Sequence, residues 1–276
     1  MSIKVTKASG VLEDFDEEKV LRSLKYAHIP DDVAHEALVH VKSKLSDRIS
    51  THLIYAFIHG FLRRKGYFNY SFNYDLKRAI MRLGPTGYPF EKFVAKVLSA
   101  SGFETQVGVI LNGKCITHEI DIEAKKGDEH FFIECKFHNH LGIKTDAQVA
   151  LYTQARFEDI KNSPELATHT EKHQPWLITN TAVTKDVIDY AKCVGMKIVS
   201  WGYPFEGNLR DLIIATRFHP VTILQHLESN QLASLLDRGI VTVDDLDDLL
   251  TSGQIPQNIS PNMVNQILSE IKAYQQ

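Results

Sequence analysis

Apolar residues along this chain recur first with a helical period, then alternate, then recur helically again, and these changes predict three segments. Residues 1–84 open with a short extended stretch, Ile3 to Lys7, and Gly10 marks a hairpin turn before Val11-Leu12. Helical stripes follow at Val20, Leu21 and Leu24, at Val33, Ala37, Leu38 and Val41, and at Ile54, Phe57, Ile58 and Phe61. Asp16 and Ser50 suit helix N-caps, where a short polar side chain accepts from a free amide, and Gly66 suits a helix end. A further stripe, Leu76, Ala79, Ile80 and Leu83, ends at Gly84-Pro85. That pair, followed by Thr86-Gly87, predicts the domain boundary.

Residues 85–215 mix both periods. Pro89 fits a first helical position, and Phe90, Phe93, Val94, Val97 and Leu98 form a stripe that stops at Gly102. Thr105 to Leu111 reads as a strand, Asn112-Gly113 as a tight hairpin turn, and Cys115 to Ile122 as the returning strand. After the polar turn Lys125 to Glu129, Phe131 to Phe137 is a buried strand, and Thr145 caps a helix to about Ile160. Beyond the polar stretch Lys161 to Gln174 come a strand (Trp176 to Thr179), a helix capped by Thr184 and a strand (Lys197 to Trp201). This alternation predicts an α/β sheet. Residues 216–276 return to helix, with Leu235-Leu236, Gly239-Ile240, Val243 and Leu246 as the apolar ladder of a small helical domain for which DNA contact stays open.

Composition narrows the class. With 43% hydrophobic and 24% charged residues in a chain of 276, ordinary globular folding is expected. No apolar run reaches the ~18 residues of a membrane span, and the start, Met-Ser-Ile-Lys-Val-Thr-Lys, lacks a signal core. Cys115, Cys135 and Cys193 are few and far apart, which argues against disulfides and cysteine-based zinc sites and favours the cytoplasm. A net charge of −3 means that polyanion binding needs a local basic face. Arg63-Arg64-Lys65 and Lys77-Arg78 are the candidates, against the plainer reading of solvated helix faces. The histidines are scattered, and His138 and His140, flanking Asn139, do not make a ligand pattern.

Candidate chemistry lies in the middle segment. Acid-x-Lys begins at Glu17, Asp75, Glu123, Glu134, Asp159 and Glu270, and only one instance sits inside an apolar strand: Phe131-Phe132-Ile133-Glu134-Cys135-Lys136-Phe137. Alternation puts Glu134 and Lys136 on one face and Ile133, Cys135 and Phe137 on the other. Asp121 stands in a similar run between Ile120 and Ile122, and strand pairing would let Asp121 and Glu134 converge. Two close carboxylates repel unless a divalent cation neutralises them, and hard oxygen ligands favour Mg²⁺. A buried structural ion pair is the alternative.

In order, Phe90-Glu91, Glu119-Ile120-Asp121, Glu134-Cys135-Lys136 and Gln148 resemble the PD-(D/E)XK restriction-endonuclease superfamily, in its Mrr-like variety, over about residues 86–205. The resemblance implies a mixed sheet flanked by helices, Mg²⁺ or Mn²⁺ on Asp121 and Glu134 with Glu91 supporting a metal-bound water, and Lys136 at the scissile phosphate. It also implies that Gln148 reaches the site from the next helix, and Gln148 to Tyr152 fits a Gln-x-x-x-Tyr variant. Ile120 stands where the family name expects proline. Residues 3–83 resemble the ATP-cone, through Val5-Thr6-Lys7, Gly10, Phe15-Asp16, Lys19, Leu24, Ala27 and Ile49-Ser50-Thr51. That implies ATP or dATP binding, with Val5 on the base, Lys7 and Lys19 at phosphates, and Thr51 offering a hydroxyl at a helix start. The family usually reads Lys-Arg-Asp-Gly where this chain has Lys7-Ala8-Ser9-Gly10, so one phosphate ligand is replaced.

The expectation is a cytoplasmic protein with an ATP-cone at 1–84, a nuclease domain at 85–215 and a helical tail at 216–276. It would hydrolyse DNA phosphodiesters with a divalent metal under nucleotide control, without a membrane partner and with homo-oligomer formation open. A nucleotide-responsive DNA-binding regulator that no longer cuts is the rival.

Overall fold

The computed structural model describes residues 3–7, 9–166 and 171–275. The chain divides into two compact units, Met1–Leu76 with Leu268–Gln276, and Lys77–Ile267. The division thus falls between Leu76 and Lys77, ahead of the Gly84-Pro85 pair that composition suggested. Among the described residues no helix is long and apolar enough to cross a membrane.

In the first unit, β1 (Lys4–Thr6) pairs antiparallel with β2 (Leu12–Asp14) and parallel with β3 (Ile49–Ser50). The two-residue β3 is too short to show a period, so the sequence did not announce it. Helices α1 (Glu17–Tyr26), α2 (Asp31–Lys42) and α3 (Thr51–Arg64) follow the predicted stripes, and Val20, Leu24, Val33, Ala37, Leu38, Val41, Ile54, Ile58 and Phe61 are buried in one core. Asp16 accepts from the amides of Glu18 and Lys19, and Ser50 from that of Leu53, as expected of caps. The basic run on α3 is engaged within this unit. Arg63 meets Glu270 at 3.3 Å, Lys65 meets Glu36 at 3.3 Å, and Arg64 bonds His40 at 3.1 Å.

The second unit is a mixed α/β body. α4 (Phe68–Met81) enters it at Lys77, and α5 (Tyr88–Ala100) follows, its stripe Phe90, Phe93, Val94, Val97 and Leu98 fully buried. The hairpin β4 (Glu104–Asn112) and β5 (Thr117–Lys126) joins antiparallel to β6 (Glu129–Lys136). β7 (Lys144–Thr145), α6 (Ala147–Lys161) and β8 (Lys172–Thr179) come next, and β8 lies parallel to β6. β9 (Ala182–Val183) pairs with β7, α7 (Lys185–Val194) crosses over, and β10 (Lys197–Val199) adds parallel to β8. The five-stranded order is β10-β8-β6-β5-β4.

Two local expectations need correction. Asn112 is the last ladder residue, paired with Thr117, so the connection is Gly113–Ile116 and not a two-residue Asn-Gly turn. Asp159 of α6 reshapes it, its carboxylate accepting from the amides of Cys115 (2.9 Å) and Ile116 (3.2 Å). Gly113 fits there because a Cβ would press on Asp159 and lie 2.7 Å from the Ile116 carbonyl. Asp146 and not Thr145 caps α6, accepting from the Gln148 amide at 3.1 Å, while the Thr145 hydroxyl is buried against Thr179 at 3.0 Å.

Most of the C-terminal segment groups with the second unit. α8 (Leu209–Thr216), α9 (Ser229–Asp237), α10 (Val243–Thr251) and the first half of α11 (Pro261–Gln275), up to Ile267, belong with the second unit. Buried Thr222 donates to the Ala79 carbonyl at 2.6 Å and accepts Arg82 on its own carbonyl at 2.9 Å, and Lys96 of α5 pairs with Asp245 of α10 at 2.7 Å.

Candidate active-site cleft

The cleft opens at the end of β6, just past its ladder with β5. That ladder ends at the pair Ile122 and Ile133, and in continued register Asp121 would oppose Glu134. Instead of a strand carbonyl, Asp121 Oδ2 takes the Cys135 amide at 2.7 Å. The side chain thereby satisfies a buried backbone donor and holds its carboxylate at the opening. β6 stays in register with β8 on its other side, with Glu134 beside Leu177 and Lys136 beside Thr179.

From this edge Glu134 and Lys136 face an open cleft of about 500 Å³, closed across from them by Gln148, Val149 and Tyr152 of α6 and bounded by His138, Lys144 and Asp146. The alternation rule therefore holds: the charged side chains share one face, while Cys135 is buried on the other. Gln148 and Tyr152 are exposed and lie one turn apart.

Arg156, one turn further along α6, was not singled out in the sequence. It donates to Glu134 Oε2 at 2.7 Å and to the Glu119 carbonyl at 3.0 Å, stacks its guanidinium 4.5 Å from the Tyr152 ring centre and bonds the Tyr152 hydroxyl. The signal was the spacing of four that joins Gln148, Tyr152 and Arg156. His138 was set aside on sequence grounds, yet it borders the cleft, bonded to Thr145 Oγ1 at 3.0 Å and clasped by Asn180, whose amide group exchanges bonds with both its backbone polar atoms.

Charge is crowded here. Burial, then the Asp121 carboxylate, pushes Glu134 up to about 6 despite Arg156 and Lys136. Burial also raises Asp121, against the Cys135 amide and Arg156, which pull it down. Glu91, on α5, is pushed up to about 7 by burial and by Asp121, Glu119 and Glu134. Neither Glu91 nor Asp121 lines the cleft, so both join the group through their fields. Among the described residues, Glu91, Asp121 and Glu134 do not bring their oxygens together within 4.8 Å; the set that draws so close is elsewhere, at His130, Glu171 and His173. Lys77 is no open basic patch, because it is bonded to the Asn180 carbonyl, stacked 4.6 Å from Trp201 and pushed down to about 8 by burial.

In the first unit, Val5, Lys19 and Thr51 line a pocket of about 230 Å³ with Phe15, Tyr55 and Tyr74. Lys7 does not line it. Lys7 and Lys19 both grip Glu13, at 2.7 and 2.9 Å, and these bonds hold the Glu13 carboxyl below the ordinary range. Ala8, the departure from the ATP-cone pattern, lies outside the described residues.

Fold and cleft together define a mixed α/β protein with an acidic, lysine-bearing opening at the edge of its central sheet. Residues 219–273 match the family described as AF1548-like, C-terminal. An uncharacterized protein of Archaeoglobus fulgidus is 37% identical over 156 residues, 55% of this chain and 83% of that protein. The crystal structure of a protein of unknown function, AF1548, is 33% identical with a TM-score of 0.56, covering 68% of this chain and 97% of the other. The chain belongs to the AF1548-like family. Neither relative's description states an activity, so function rests on the site.

Proposed function

We propose that the second unit is a metal-dependent DNA endonuclease of the PD-(D/E)XK type and that the first unit is an ATP-cone whose ATP or dATP ligand controls it. The observation that carries this reading is the meeting of Glu134 and Lys136 with Gln148 and Tyr152 across one cleft, with Asp121 bonded to the amide of Cys135, the residue between that Glu and Lys. An antiparallel β4-β5-β6 meander extended by parallel β8 and β10 suits a restriction-endonuclease-like sheet.

The donor set fits a hard divalent cation. Asp121 and Glu134 offer oxygens, their raised proton affinity reports repulsion and burial that a cation relieves, and Asp121 keeps one oxygen clear of the Cys135 amide. Mg²⁺ or Mn²⁺ held there supplies Lewis acidity toward a phosphate oxygen and toward water. Arg156 must share or release Glu134 for the ion to bind. Lys136 then stabilises charge developing on the phosphate, where a donor in a desolvated site is worth the most. Glu91, titrating about 7, is suited to hold or accept a proton near neutral pH. Gln148 and Tyr152 meet the DNA backbone along the cleft wall.

Small-molecule sites are commonly ~300–1,000 Å³, so the first unit's pocket of about 230 Å³ suits a base and sugar, with phosphates outside it. Lys7 and Lys19 must exchange Glu13 for those phosphates. The test is plasmid nicking by the full chain with Mg²⁺ against EDTA, with and without ATP. Nicking that needs the metal supports the reading. Metal-independent DNA binding without cutting, altered by ATP, would favour the regulator instead.

A further inference from the structure

The same face of β6 carries a second group of ligand-bearing side chains at its other end. His130 and His173 are register partners on parallel β6 and β8, which sets their rings side by side at 5.0 Å between centres. Glu171, just before β8, brings a carboxylate oxygen to 3.7 Å from His130 Nδ1. One ligand atom from each of His130, Glu171 and His173 lies within 4.8 Å of the others. His130 is only 2% exposed. Its Nε2 bonds Glu123 Oε1 at 2.6 Å, and its Nδ1 is buried with no hydrogen-bond partner.

Those contacts fix the chemistry of the ring. A carboxylate only accepts, so Nε2 donates to Glu123, and Nδ1 is the ring nitrogen left to act as a ligand. That nitrogen faces the Glu171 carboxylate. With His173 beside them, this nitrogen and carboxylate offer three ligand atoms to one cation. A carboxylate steadying one ring nitrogen while the other faces inward is the arrangement that orients histidine on a metal. Tetrahedral zinc, with bonds of roughly 2.0–2.1 Å, holds its ligand atoms roughly 3.3 Å apart, and the His130–Glu171 pair stands at 3.7 Å. Two imidazoles and one carboxylate suit zinc over magnesium.

We propose that His130, Glu171 and His173 bind a zinc ion, with Glu123 orienting His130. The site is distinct from the nuclease cleft. Four residues of strand, roughly 13 Å, separate His130 from Glu134, and between them Phe132 packs on Phe157 of α6. The ion ties Glu171 to the starts of β6 and β8.

The experiment strips the full chain with EDTA, then titrates Zn²⁺ by calorimetry in excess Mg²⁺, which occupies oxygen-only sites. One equivalent of zinc should bind and raise the melting temperature. His173→Ala and Glu171→Gln should each weaken uptake at least tenfold, and Glu123→Gln, acting only through His130, by about 10- to 100-fold. Circular dichroism checks that each variant folds, and Glu171→Gln, on a partly exposed residue, keeps the test decisive if His173→Ala does not. Absence of zinc uptake by the wild type, or uptake unchanged by Glu171→Gln, overturns the site. His130 would then be a structural link between Glu123 and Glu171.

Discussion

Glu13 in the first unit and Glu134 in the second are both carboxylates gripped by basic side chains, yet their proton affinities move in opposite directions. Glu13 is held below the ordinary range by hydrogen bonds from Lys7 and Lys19, on a surface where water screens what remains. Glu134 has Arg156 at 2.7 Å and Lys136 on its own strand face, and still rises to about 6, because it is buried and faces Asp121. An exposed pair of this kind costs little to form and little to break. A buried cluster with excess negative charge is unfavourable in the folded chain and persists where something else uses it. On the proposed reading, the difference puts the chemistry in the second unit and a rearrangeable ligand grip in the first.

The sharpest way to break this comparison is to remove the lysine of the buried cluster. Lys136→Ala should fold and bind DNA but lose cleavage by about 100- to 1,000-fold, the usual effect of deleting a transition-state donor. Cleavage within about threefold of wild type would make Lys136 a structural partner of Glu134.

A smaller effect should come from the exposed grip. ATP or dATP should change cleavage by roughly five- to 150-fold, the range of typical coupling energies, and Lys7→Ala with Lys19→Ala should erase that response. Cleavage assays across nucleotide concentration check this. A response that survives in the double variant would remove both lysines from the nucleotide site.

The smallest effect concerns stability. Glu91 binds its proton more tightly folded, about 7, than unfolded, 4.5. Between those values the folded state holds more protons, so the metal-free protein should lose stability as pH rises from about 4.5 through about 7. Glu91→Gln should flatten that slope and stabilise the metal-free chain above pH 7 by about 1–2 kcal/mol, after allowance for partial exposure. Added Mg²⁺ should also flatten it. Denaturant titrations across pH would show a slope unchanged by Glu91→Gln if the crowding is weaker than described.

Much of the fold was legible because it rests on long periodic stretches. The α5 stripe from Phe90 to Leu98 and the charged alternation at Glu134 and Lys136 needed no tertiary knowledge. What failed depended on distant partners. The Asn112-Gly113 dipeptide promised a tight turn, but Asp159 from α6 organises a longer one. Thr145 has a cap's chemistry, but burial against Thr179 engages it and passes the role to Asp146. The division into compact units falls ahead of Gly84-Pro85, where Ala79 and Arg82 are bonded to Thr222. In the cleft, Arg156 was hidden for the opposite reason: its spacing from Tyr152 was visible, but only the strand edge shows that it answers Glu134. His130 and His173 are far apart in sequence, and parallel register alone makes them neighbours.

The central claim is that Asp121 and Glu134 hold a catalytic divalent cation, and calorimetric titration of Mn²⁺ or Mg²⁺ into protein freed of both ions tests it most directly. Zinc-saturated chain should be used, so that the histidine cluster does not contribute heat. Wild type should bind the ion, and Asp121→Ala and Glu134→Ala should each abolish that binding while the chain stays folded. Unchanged affinity in both variants would contradict the account and leave Glu134, Arg156 and Lys136 as a buried structural ion cluster.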